Sequence, residues 1–165
     1  VVGIVLGVGL AHCLTSGAAA EQASPPGLLD WLVGSWSEAK AQGAPPLSGR
    51  HFAEATFERT GTGVRGRLRD VGPGGVRSAL ADYTIALADG RVSLRVVERG
   101  VSYRLKGTAS SGYIRFERSS SKPGTILVEF SILHGQLLVR HSYGPQHGKA
   151  VEATYALASV SAMAD

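Results

Sequence analysis

The chain has 165 residues, 18% charged and 44% hydrophobic, a formal net charge of +4 and one cysteine. That is one domain of ordinary size, able to bury a core without staples, and one cysteine excludes a zinc ribbon or a disulfide scaffold. The 22 glycines fall in short turn-like clusters and no long acidic or basic block occurs, which excludes a coiled coil and a disordered tail.

Val1–Ala11 is an uncharged apolar run, shorter than the roughly twenty residues that a membrane-crossing helix needs. Its length is that of a signal-peptide core, and Ala18-Ala19-Ala20 supplies an A-x-A cleavage site before Glu21. Residues 1–20 therefore read as a signal peptide, 21–26 as a linker and 27–160 as the folded domain, which predicts a periplasmic or secreted protein. Leu10-Ala11-His12-Cys13 resembles a bacterial lipoprotein box. Lipidation of Cys13 is the alternative to simple cleavage and the one membrane anchor in this reading; no transmembrane span is expected. The basic residues are mostly arginines spread singly, as in Arg65-Gly66-Arg67-Leu68-Arg69. A nucleic-acid footprint clusters its charge and interleaves aromatics, so no nucleic-acid partner is expected.

Gly27–Val33 has apolar residues at helical spacing but room for only one or two turns. Beyond it the pattern is strand and turn, with strands predicted at 35–41, 51–59, 64–71, 76–87, 91–99, 101–107, 113–118, 125–133, 137–143 and 150–158. Period-two alternation is clean in Arg91–Val96, Val101–Lys106 and Tyr113–Arg118, the mark of a half-buried strand. Ala88-Asp89-Gly90 carries the Asp-Gly signal of a tight hairpin, and His134-Gly135-Gln136 and Ser110-Ser111-Gly112 punctuate later strands. Short connections join sequential neighbours, so the expected fold is all-β: an antiparallel up-and-down barrel of about 8–10 strands behind a short N-terminal helical turn. The longest gap, Gln42–Arg50, contains Pro45-Pro46 and reads as a flap over the open end.

Gly34-Ser35-Trp36, placed after the helical turn at the start of the first strand, resembles the G-x-W signature of the lipocalin and calycin barrels. That resemblance implies a tight glycine turn and a tryptophan plugging the closed end. A narrower resemblance is to a bacterial family of small exported lipocalin-like domains. It runs through Leu28–Trp36, Phe52-Ala53-Glu54-Ala55-Thr56-Phe57, Gly66-Arg67-Leu68-Arg69 and Ile114-Arg115-Phe116-Glu117. The His-Asp-Phe-Pro-like segment usual in that family is replaced here by Ser119–Gly124. The resemblance covers residues 28–158, implies a fold, and imports no activity.

The predicted inward face holds Val92, Leu94, Val96, Val101, Tyr103, Leu105, Ile114, Phe116, Val128, Phe130 and Ile132. A wide barrel leaves open whether this surface is solid core or the wall of a cavity. Candidate ligand-binding residues are Trp36, Glu54, Arg69, Asp82, Val96, Tyr103, Leu105, Phe116, Phe130 and His141. Glu54, Arg69 and Asp82 fall on consecutive strands; they either meet inside, as a clamp or polar anchor, or lie outside as surface charge. His141 shares the parity of Val139 and Tyr143, and pointing inward it is either hydrogen-bonded core or an axial haem ligand. No metalloprotease, nucleophile-elbow or phosphate-loop motif occurs. The residues thus predict a non-catalytic barrel binding a small apolar molecule, with no cofactor. A barrel enzyme using an inward acid–base residue, or a haem carrier, stands as the alternative.

Overall fold

The computed structural model describes residues 27–38, 50–118, 125–146 and 149–160. The expected signal peptide and linker, and the expected flap apart from Arg50, lie outside the described residues. A 3-10 turn at Asp30–Leu32 leads into β1 (Gly34–Ser37), β2 (Phe52–Thr60), β3 (Gly63–Val71) and, after a second turn at Pro73–Gly75, β4 (Arg77–Ala88). Then follow β5 (Arg91–Glu98), β6 (Val101–Ser110), β7 (Tyr113–Arg118), β8 (Ile126–Leu133), β9 (Gln136–Gln146) and β10 (Lys149–Ser159). Each strand pairs antiparallel with its sequence neighbours and β1 pairs with β10, so the sheet closes. The protein is an all-β, ten-stranded, up-and-down antiparallel barrel, in line with the alternation and the turn residues.

The turn chemistry orients the barrel. Asp89-Gly90, Arg99-Gly100 and His134-Gly135 have positive φ at both positions (51° and 71°, 47° and 79°, 50° and 76°). This is the geometry of two-residue hairpins whose twist matches the flanking strands. The tight connections 61–62, 89–90, 111–112 and 134–135 all lie at the end where the first 3-10 turn enters. β1, β3, β5, β7 and β9 end, and β2, β4, β6, β8 and β10 begin, at the opposite end, the mouth. β1 is shorter than the predicted 35–41. Its last partner on β2 is Glu54, and the next amide, Ala53 N–H, donates to the Glu38 carboxylate at 2.8 Å. A side chain thus takes the hydrogen bond that a longer β1 would have made through its backbone, and the strand ends there.

Inside, alternation places apolar side chains from every strand in one cluster. Val101 departs from its predicted inward place: it is 58% exposed because it opens β6 on the rim of the mouth. Mid-barrel is aromatic. Phe57 stacks on Tyr83 (6.0 Å, 16°), and Phe130 stands edge-on to Phe57, Tyr83 and Phe116 at 5.8, 5.2 and 6.3 Å. Offset-stacked and edge-to-face pairs add about 0.5–1.5 kcal/mol each beyond their area. The stack depends on a missing side chain. In register, Gly66 sits between Phe57 on β2 and Tyr83 on β4, and a Cβ there would lie 2.3 Å from two Phe57 ring carbons. Phe57 is itself wedged between Tyr83 and Phe130, so its ring has nowhere to go.

At the closed end Gly34 adopts φ 139°, a backbone conformation that glycine alone takes readily, and turns the chain into β1. The Trp36 indole is buried against the cluster containing Leu29 and Leu32, and its Nε1–H donates to the Leu32 carbonyl at 3.1 Å. One residue thereby fastens the entering 3-10 turn to the barrel wall.

Two stability outcomes follow from this packing. Trp36→Ala is expected to lose about 3–5 kcal/mol, read by denaturant unfolding; an unchanged midpoint would remove the plug. Gly66→Ala is expected to cost about 1–3 kcal/mol by overpacking. Combining it with Phe57→Leu should recover part of that loss in a double-mutant cycle, whereas purely additive losses would place the clash elsewhere.

Candidate functional site

Followed toward the mouth, the same alternation turns from apolar to polar. Val92, Leu94 and Val96 are succeeded inward on β5 by Glu98; Leu105 on β6 is preceded by Tyr103; Leu137 and Val139 on β9 are succeeded by His141 and Tyr143. Because side chains alternate strictly along a strand, these groups have no outward alternative while the register holds. They converge on one another.

Tyr83, fully buried, is hydrogen-bonded through its hydroxyl to His141 Nε2 at 2.7 Å, and the two rings meet edge-on at 5.8 Å. On its other side, His141 Nδ1 lies 3.3 Å from the Tyr143 hydroxyl and 3.8 Å from Glu98 Oε2. Tyr143 donates to Glu98 Oε2, and Tyr103 donates to the same oxygen at 2.8 Å. Tyr83, His141, Tyr143, Tyr103 and Glu98 thus form one connected chain, in which both mouth tyrosines donate to the carboxylate. A chain of donors thus runs from the middle of the barrel to one ionised acceptor at its mouth. His141 is 3% exposed and the Glu98 side chain 21%.

The adjacent His141 ring, with the Tyr143 and Tyr103 hydroxyls, holds the Glu98 carboxyl down at about 2 against the opposing effect of burial. Burial first, and the Glu98 carboxylate with it, pushes the phenols of Tyr83, Tyr143 and Tyr155 upward; burial also raises Tyr103. The carboxylate stays charged and the phenols stay protonated across the whole neutral range. Both nitrogens of His141 already face protein partners, so axial ligation of a haem would require breaking the chain at its centre.

The residues singled out in the sequence divide three ways. Tyr103 and His141 belong to the polar chain. Trp36, Val96, Leu105, Phe116 and Phe130 lie in the apolar cluster. Glu54, Arg69 and Asp82 are not brought together inside: their strand positions place them on the outer face, where Glu54 pairs with Arg77 at 3.1 Å and Asp82 approaches Arg67 at 3.9 Å. A shallow depression of about 320 Å³ on that face is lined by Glu54, Glu58, Arg65, Arg67, Arg69 and Arg77. The outward result has a simple cause. Ala53, Ala55 and Phe57 bury the other face of β2, and Leu68 does so on β3. Four members of the site, Glu98, Tyr143, Tyr83 and Tyr155, were missed in the sequence. Parity was the available signal, since Glu98 continues the Val92, Leu94, Val96 series and Tyr143 the Val139, His141 series.

The fold defines this protein as a closed ten-stranded antiparallel barrel with an apolar middle and a polar mouth. Comparison of the chain with protein-family models and with curated protein sequences gives no match.

Glu98 supplies a pH signature. Its folded value lies below the ordinary 4.5, so its ionisation stabilises the fold above about pH 4.5 and that contribution disappears as pH falls toward 2. Glu98→Gln should therefore melt below the parent at pH 7, by about 1–3 kcal/mol, with the gap closing between pH 4.5 and 2. A gap independent of pH would mean that the carboxylate is not held ionised by the chain.

Proposed function

We propose that this protein is an exported, lipocalin-like, non-catalytic barrel that binds a small, mostly apolar molecule at its mouth. The observation that carries the reading is the polar chain ending on Glu98. An apolar interior of the same volume would stabilise the barrel at least as well as a buried charge with its partners. A perturbed ionisable group at the opening of an otherwise apolar chamber is the usual composition of a ligand site. Phe57, Tyr83, Phe116 and Phe130 fill mid-barrel, so this reading confines the ligand to the mouth, above Tyr83 and His141. The apolar leader and Ala18-Ala19-Ala20 support export, and the G-x-W turn with a buried Trp36 supports the lipocalin-like class.

The enzyme reading gains no support from the site, because Glu98 and its tyrosines are fixed in one protonation state near neutrality.

An apolar fluorescent probe should bind the folded protein saturably and at one-to-one stoichiometry. Tyr155→Arg, which places a bulky charge on the mouth wall, should weaken binding by roughly tenfold, about 1.4 kcal/mol, measured at a temperature where both proteins are folded because Tyr155 also packs on the core. A probe that binds the variant as tightly as the parent, or fails to saturate, would refute a mouth site.

A further inference from the structure

Glu98 presents its two oxygens very differently. Oε2 receives Tyr103 and Tyr143 and faces His141 at 3.8 Å. Oε1 has no partner among the described residues, on a side chain that is itself partly exposed. The carboxylate is therefore ionised and clamped through one oxygen alone among the described residues.

The walls around it are aromatic. Tyr103 and Tyr143 meet at 72° with centroids 6.5 Å apart, forming a corner above the carboxylate. Tyr155, from β10, is half-buried within electrostatic reach of Glu98, and its hydroxyl has no partner among the described residues. Two further carboxylates act on Tyr155, those of Asp70 and Glu38. Each is already occupied, Asp70 by His51 at 2.7 Å and Glu38 by the Ala53 amide at 2.8 Å. Among the described residues, Arg99, exposed in the β5–β6 turn, acts on Tyr155 and Arg118, exposed at the end of β7, acts on Tyr103; neither forms an ion pair with Glu98.

We propose that the mouth selects ligands with a cationic head: an ammonium group seated on Glu98 Oε1 and enclosed by the rings of Tyr103, Tyr143 and Tyr155. This inference rests on the reading of the mouth as the binding site and adds the chemistry of what it takes. A carboxylate or phosphate head is disfavoured, because it would face an ionised Glu98 whose second oxygen meets no donor among the described residues. A cation gains twice, from a charge-assisted hydrogen bond and from the electron-rich ring faces. The apolar remainder of such a molecule would lie against the exposed valines of the rim, Val76, Val101 and Val151.

The test is a matched set of one chain length with three heads, octylammonium, octanol and octanoate, titrated calorimetrically into the folded protein below their aggregation concentrations. The expected order is octylammonium first, tighter than octanol by about tenfold or more, with octanoate weakest. Glu98→Gln should bring octylammonium down to the octanol level. Should that variant fail to fold, the order of the three heads on the unaltered protein decides alone. Equal binding of all three, or a preference for octanoate, would overturn the cationic head while leaving the mouth as the binding site. If none binds, the cationic head and the mouth site fall together.

Discussion

Closure of the sheet depends on its shortest strand. β1 contributes only Gly34–Ser37, yet it joins β2 to β10 and removes the two edges that a ten-stranded meander would otherwise expose. Four residues of ladder hold weakly by themselves. Their position is secured by what surrounds them: the glycine-only turn at Gly34, the Trp36 indole bonded back to Leu32, and an ion pair from Arg59 on β2 to Asp30 in the entering turn. With the ring closed, every inward side chain points at a common axis. The aromatic middle and the polar mouth both exist only under that condition.

The interior is layered along the axis. The closed end is sealed by Leu29, Leu32 and Trp36, the middle by stacked and edge-on aromatic rings, and the mouth by tyrosines around one carboxylate. Tyr83 links the last two layers: its ring belongs to the aromatic stack and its hydroxyl begins the hydrogen-bond chain. Position of the Glu98 carboxylate therefore depends, through His141 and Tyr143, on packing that Gly66 makes possible. Stability and binding share residues here, and substitutions in mid-barrel will be felt at the mouth.

Outside, charge is arranged by a different rule. Arg115, Glu129, Arg140 and Glu152 form a ladder across β7 to β10 with contacts of 3.7, 3.3 and 3.0 Å. Each such exposed pair contributes little, about 0–1 kcal/mol. On the other side of the barrel Arg95 and Arg104 stand directly opposite each other in register, an arrangement that disfavours pairing and is tolerated where both guanidinium groups extend into water. The dispersed arginines seen in the sequence are thus the solvated face of the strands.

Local rules made the fold legible: Asp89-Gly90 and His134-Gly135 demand left-handed turns, and strict alternation from Arg91 to Val96 demands a half-buried strand. These properties depend on a few neighbouring residues, so the chain alone determined ten strands, their order and most of the apolar interior. The identity of the site was another matter. Glu54, Arg69 and Asp82 looked promising because both faces of their strands carry apolar residues, and only the register of β2 against β3 and β4 turned them outward. Glu98, Tyr103, His141 and Tyr143 come from three strands, with up to 45 residues between bonded partners. Their meeting is set by barrel closure and stagger, which no local pattern encodes. Tertiary structure alone decided that these polar ends of apolar strands share one oxygen, Glu98 Oε2.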